Sequence, residues 1–282
     1  MPSEPPSWAV GGSGRLARLA GMAAVRLTDL RHPVVVFTFS GWNDAGDAAT
    51  GVIDHLSEVC DTDYAFALDA DDYYDLIENR PVLVREGNGE RTVQWATTEV
   101  LVAHLSERDV VLVNGPEPSF RWRAFCAALV SAFRSIKPER IIAMGAMLAD
   151  APHSSAVPVS EDGTDYTGPT GIVGVLASAC ADAGFNVTSL WASVPHYVSD
   201  PPNPKATLAL LSRLEEFLGE SIERGDLLDA AAVWEERVDE LVADDDDIMA
   251  YVRELESRYD TAEATGEEIA QQFERYLRRR ER

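Results

Sequence analysis

Seven polar residues follow directly on apolar, strand-like runs: Asn43, Asp44, Asn114, Glu117, Asp150, His153 and His196. In open α/β sheets ligands bind in the crevice beyond the carboxyl ends of the strands, so a site would be drawn from this set. Carboxylates placed there could hold an ion while a histidine moved a proton, which is the chemistry of metal-assisted hydrolysis or phosphorolysis. On that reading Asp150, His153 and His196 are the catalytic candidates. Gly41, Thr170 and Gly171 join Asn43, Asp44, Asn114 and Glu117 as ligand-binding candidates, because amides opening a helix can seat an anion.

Each candidate also has a purely structural role open to it. Asp44 or Asn43 can cap the helix that follows "FTFSG", with Asp47 in the place of a capping-box acid. Asp44 and Asp47 also put negative charge where an anion would sit, and no nearby Lys or Arg offsets it. Pro118 suits a helix entry after "VVLVNGPEP". Asp150 and His153 lie in a long loop, "LADAPHSSAVPV", where they could pair or simply order the loop, and neither has an obvious nucleophile beside it. Gly168, Gly171 and Gly174 do not make a GxGxxG fingerprint after a strand, and small residues there let a helix pack closely. Asn203 with Pro204 marks the start of another helix.

The elements that must position these residues alternate. Apolar runs at 34–40, 64–68, 110–114, 140–145 and 187–194 suit buried strands, and helical patterns cover about 44–58, 119–136, 170–183 and 204–223. The stretch 81–104, with "EGNGE" between β-rich flanks, predicts a hairpin. This order predicts an α/β fold, with a mostly parallel mixed sheet covered by helices on both faces. Three regions are expected: a flexible Pro/Ser/Gly-rich leader over 1–26, an α/β core over 27–225, and an acidic α-helical appendage over 226–282. From Gly225 onward 18 acidic residues stand against 8 basic ones, in segments with amphipathic helical spacing.

Composition narrows the function. The chain has 282 residues and a formal net charge of −24, which argues against nucleic acid and anionic membrane as partners. No run approaches the length of a membrane span, and the N-terminus lacks the pattern of a signal peptide. Cys60, Cys126 and Cys180 are far apart in apolar patterns, as expected of thiols in a reducing, cytoplasmic compartment. No metal-ligand spacing, phosphate loop, HExxH or GxSxG is present, so no metal or cofactor is expected. Lys137 and Lys205 are the only lysines, few for an enzyme that grips ATP.

Five segments in order, "FTFSGWNDAGDAA", "NGPEPSFRWRAF", "GAMLADAPHSSAVPV", "YTGPTGIVGVL" and "WASVPHYVSDPPNPKATLALL", resemble the proteasome assembly chaperone family. The branch is that of its second chaperone, and the resemblance spans about residues 28 to 225, with an acidic tail like that of bacterial members. It implies a three-layer α/β/α sandwich with a phosphorylase- or hydrolase-like layout, homo- or hetero-oligomers (a trimer or higher included), and proteasome subunits as partners of eukaryotic and archaeal members. Some archaeal members end in a hydrophobic–Tyr–X tail, whereas this chain ends "FERYLRRRER" with Tyr276 well inside. Bacterial members have been labelled ATP-grasp-type ligases, which the missing phosphate-binding residues do not support.

Three functions follow. A non-enzymatic interaction or assembly factor stands first. A small-molecule enzyme with its site at the sheet's C-terminal edge requires the strand-end residues to converge in one pocket. A structural oligomer would bury the tail helices between subunits.

Overall fold

A computed structural model describes residues 27–85, 89–161 and 168–259. The expected leader over 1–26, the centre of "EGNGE" and the last tail helix with Tyr276 lie outside the described residues.

The chain order is β1 (Val34–Phe37), α1 (Ala48–Val59) entered through a 3₁₀ turn (Ala45–Asp47), β2 (Asp61–Ala67), and a short α2 (Ala70–Tyr73). Then come β3 (Val82–Arg85), β4 (Arg91–Gln94), β5 (Glu99–His104), β6 (Asp109–Asn114) and α3 (Trp122–Ile136). β7 (Arg140–Ala149), β8 (Val159–Glu161), α4 (Ile172–Asp182), β9 (Val187–Pro195), a second 3₁₀ turn (His196–Val198), α5 (Pro204–Leu218) and α6 (Leu227–Ala243) follow. A last helix, α7, covers 246–259.

Seven strands form the main sheet in the order β2-β5-β6-β1-β7-β9-β8. The middle four run parallel; β5 on one side and β8 on the other run against them, and β2, antiparallel to β5, returns to their direction. β1 is buried on both faces, which is why it reads as an unbroken apolar run rather than an alternating one. Its side chains still divide by parity. Val34 and Val36 join Leu112, Ile142 and the inner faces of α1 and α5, while Val35 and Phe37 join Val111, Val113 and the inner faces of α3 and α4. The result is the three-layer sandwich expected from the strand–helix alternation.

Some boundaries differ from expectation for local reasons. The stretch 81–104 is not one hairpin: β3 and β4 pair as a separate two-stranded sheet, and β5 enters the main sheet between β2 and β6. Its buried Val100–Ala103 run is what the interior selects. α3 begins at Trp122 because Arg121 sits in the left-handed region, where its guanidinium pairs with Asp72. α5 stops at Leu218 because Gly219 takes a left-handed C-cap, and it starts as expected, with Asn203 accepting from the Ala206 amide at 3.0 Å. Gly174 gives room to the Thr170 hydroxyl rather than to a neighbouring helix: a Cβ there would stand 2.3 Å from it.

Cys126 on α3 and Cys180 on α4 are buried free thiols, and burial pushes them up to about 11 and about 12; Cys60 is half-buried. α6 and α7 close a third, smaller cluster, in which Val238, Val242 and Val252 meet Tyr197 and Val198 from the β9 exit. Among the described residues no helix is long and apolar enough to cross a membrane.

Candidate functional site

Beyond Phe37 the backbone keeps pairing although β1 has formally ended. The Ser40 amide donates to the Gly115 carbonyl at 3.0 Å, the Glu117 amide to Ser40 at 3.1 Å, and the Ala146 amide to Asn43 at 2.8 Å. The exits of β6, β1 and β7 are thereby tied side by side, and Gly41, at φ 111°, lets the middle one turn.

The side chains then close a polar knot. Glu117 Oε1 accepts from Asn43 Nδ2 at 3.0 Å and from the Ile172 amide at 2.8 Å. The carboxylate therefore occupies the N-terminus of α4, the place an external anion would take. Gly171 makes the approach possible, because a Cβ on it would lie 1.9 Å from Asn43 Nδ2. Asp44 does the same for α1. It accepts from the Ala49 amide at 2.6 Å, the Thr50 amide at 3.1 Å and the Thr50 hydroxyl at 2.5 Å. The 3₁₀ turn, with Gly46 at φ 63°, moves the helix start to Ala48, so Asp44 caps from farther upstream than a simple N-cap. Burial dominates the carboxyl's titration and raises it to about 7 against the opposing pull of its hydrogen bonds. Thr50 Oγ1 also reaches the Asp47 carbonyl at 3.3 Å, so a protonated Asp44 has an acceptor ready to pass the proton's bond along.

Gly41, Asn43, Asp44, Glu117 and Gly171 thus meet. Asn114 ends β6 in register with Glu99, and Thr170 is exposed; among the described residues neither shares the knot's hydrogen bonds.

Asp150, His153 and His196 form a second network, where α6 and α7 rest on the core. The Tyr197 hydroxyl accepts from the His153 amide at 2.8 Å and lies 2.7 Å from His153 Nδ1. Its own proton then goes to Nδ1, which leaves Nε2–H to donate to Asp239 of α6 at 3.0 Å. Tyr251 of α7 donates to Asp150 at 3.1 Å, and His196 Nδ1 lies 3.5 Å from the same carboxylate oxygen. Lys205 Nζ joins the seam, donating to the His153 carbonyl at 2.5 Å and pairing with Glu235 at 2.7 Å. The rings of His196, Tyr197 and Tyr251 meet edge to face. Burial lifts the Tyr197 hydroxyl to about 12, which disarms it as a nucleophile. Both imidazole nitrogens of His153 are engaged, so the network ties α6 to the β9 exit.

Residues that the strand-end reading passed over complete this seam: Asp239, Glu235, Tyr251 and Lys205. Their signal is weak, although Glu235 and Asp239 are four apart and share a helix face. Among the described residues no three His, Cys, Asp or Glu side chains gather as a metal ion would require.

Large apolar side chains are also exposed along these strand ends. Phe120 follows β6, Trp42 follows β1 and Leu148 lies near the end of β7, which are adjacent strands; their exposures are 50%, 67% and 52%.

Known proteins agree with the architecture. The PAC2 family profile matches residues 38–242. A PAC2 family protein from Streptomyces avermitilis is 45% identical, with 78% of this chain and 99% of that one covered at a TM-score of 0.74. A Mycobacterium tuberculosis proteasome-assembly chaperone homologue is 41% identical over 78% and 99% of the two chains, with a TM-score of 0.72. A Corynebacterium glutamicum protein of unknown function is 25% identical over 87% and 97%, with a TM-score of 0.77. No curated protein matches. The matched stretch contains the knot, the seam apart from Tyr251, and every strand of the sheet except β1, whose last residue directly precedes it; on that ground the chain belongs to the PAC2 family.

Proposed function

We propose that the chain is a non-enzymatic interaction and assembly factor of the cytoplasm, working as a homo-oligomer and contacting proteasome subunits. One observation carries the reading: the N-termini of α1 and α4 are filled by the chain's own carboxylates, while Trp42, Phe120 and Leu148 are exposed on segments that end or follow the adjacent strands β7, β1 and β6. The polar knot serves as a rigid mount for that apolar row. The relative from Mycobacterium tuberculosis is named for proteasome assembly, which supplies the choice of partner. The division into a leader, a core to residue 225 and an acidic appendage belongs to the same reading. An enzyme of the hydrolase, phosphorylase or ATP-grasp kind needs its strand-end groups in one pocket, whereas Gly41, Asn43, Asp44, Glu117 and Gly171 meet in the knot, Asp150, His153 and His196 lie in the seam, and Asn114 and Thr170 join neither.

The test is a pull-down of the tagged chain from its own cell extract, with wild type set beside Trp42→Ala/Phe120→Ala and a truncation after Gly225. Proteasome α- or β-subunits, identified by mass spectrometry, are expected with wild type and at least tenfold depleted with the double variant at unchanged melting temperature. Equal recovery from both, or no proteasome subunit from wild type, overturns the reading.

A further inference from the structure

The β3–β4 hairpin belongs to neither face of the main sheet, and its two sides differ sharply. Val82, Val84, Thr92 and Gln94 are buried or half-buried. On the other side Leu83 stands directly opposite Val93, and Arg85 directly opposite Arg91. Trp95 continues that alternation, and Leu83, Val93 and Trp95 are 59%, 49% and 49% exposed. Two arginines facing each other across a ladder repel, and on this side neither has an anionic partner among the described residues. An exposed apolar and cationic face is out of character for a chain of net charge −24. It calls for something acidic and apolar.

The molecule carries such a surface. Val233, Glu236, Arg237, Glu240 and Leu241 recur at i, i+3, i+4, i+7 and i+8 along α6, all exposed, on the side away from buried Val238 and Val242. Between residues 227 and 259 acidic residues outnumber basic ones by eleven to three. The lengths agree. Arg91 to Trp95 spans roughly 13 Å of strand, and Val233 to Leu241 roughly 12 Å of helix.

We infer that the Arg85/Arg91 face of the hairpin docks on the Glu236/Glu240 face of α6 in a second copy of this chain. Leu83, Val93 and Trp95 then meet Val233 and Leu241, while the two arginines meet the two glutamates. The two surfaces differ, so the contact is head to tail and every copy both gives and receives; closing the series makes a ring. The cationic face also explains how chains of such like charge could associate at all, because attraction at one patch opposes the general repulsion. This rests on the oligomer part of the reading above. It fails separately from the proteasome part, since its test contains no proteasome.

The experiment measures the mass of the full chain by light scattering after gel filtration at tens of micromolar. Wild type is expected as a multiple of the single chain. Arg85→Glu/Arg91→Glu and Glu236→Arg/Glu240→Arg are each expected at single-chain mass with wild-type circular dichroism. Mixing the two variants in equal amounts places a reversed hairpin against a reversed helix, and species holding both should form. A wild type of single-chain mass overturns the inference and leaves the face to an acidic protein of other origin. So does a charge-reversed variant that keeps the wild-type mass, or a mixture in which the two remain apart. Hydrogen exchange on wild type gives a readout that needs no substitution: amides of 82–85, 91–94 and 233–241 should gain protection as concentration rises, and protection independent of concentration counts against the contact.

Discussion

The polar knot at the strand exits and the seam under the C-terminal helices use the same residue types for different ends. In the knot the polar groups face inward, and Asn43 and Asp44 are each 3% exposed. In the seam the histidine is sealed but its partner is not, with the Asp239 side chain 66% exposed and that of Asp150 69%. Breaking the knot strands donors that water cannot reach. Breaking the seam returns most of its carboxylates to solvent at little cost. The knot belongs to the fold, whereas the seam's polar bonds are its weaker set, and we expect α6 and α7, held otherwise by their small apolar cluster, to open before the sandwich does.

The largest expected effect lies in the knot and is read by pH. The Asp44 carboxyl, raised to about 7 in the folded chain, binds its proton more tightly than in the unfolded one. Folded protein therefore holds more protons between about pH 4 and pH 7, and stability must fall as pH rises through that window. The loss attributable to this group is on the order of 4 kcal/mol, complete above the folded value. Urea unfolding of wild type and Asp44→Asn across that window should show a slope in the first that is missing from the second. Parallel slopes would mean that Asp44 is as well solvated as the seam's carboxylates, and the comparison would collapse.

Next in size is Glu117→Ala. It takes the acceptor from both Asn43 Nδ2 and the Ile172 amide, and unfolding free energy should drop by roughly 2–3 kcal/mol. Glu117→Gln keeps an oxygen for those donors and should recover much of the loss. The smallest effect belongs to the seam. Tyr251→Phe removes one exposed hydrogen bond to Asp150 and should lower global stability by about 0.5 kcal/mol or less. Amide exchange should quicken in α6 and α7, with the central strands unchanged. A change of the same size in the sheet would show that the seam and the sandwich open as one unit.

How much of this the sequence announces depends on the distance between partners. The cap made by Asn203 and Pro204 is local and legible, as is the central VVVF strand. Asp44 is legible as a residue with business at α1, though not with its 3₁₀ detour, which depends on a positive φ at Gly46. The union of Asn43 with Glu117 spans 74 positions, and that of Glu117 with Ile172 spans 55. No periodicity encodes such meetings, since they arise only when β6, β1 and β7 lie side by side. His153 suggested chemistry because its partners, Tyr197 and Asp239, come from elements 44 and 86 residues away. β5 stayed hidden because its apolar run sits next to a genuine hairpin and shares that hairpin's composition.

The two thiols between α3, α4 and the sheet carry a consequence for watching the molecule move. With values near 11 and 12, Cys126 and Cys180 present on the order of 10⁻⁴ to 10⁻⁵ of their sulfur as thiolate at neutral pH, so a thiol reagent meets almost nothing to react with while that layer is shut. The opposite layer, of α1 and α5, holds only the half-buried Cys60 at its rim. The sandwich therefore carries a chemical clock on one side and none in the interior of the other. Slow modification of Cys126 and Cys180 times the opening of the α3–α4 layer, and comparison with the global unfolding rate separates a local lifting of that layer from unfolding of the whole chain.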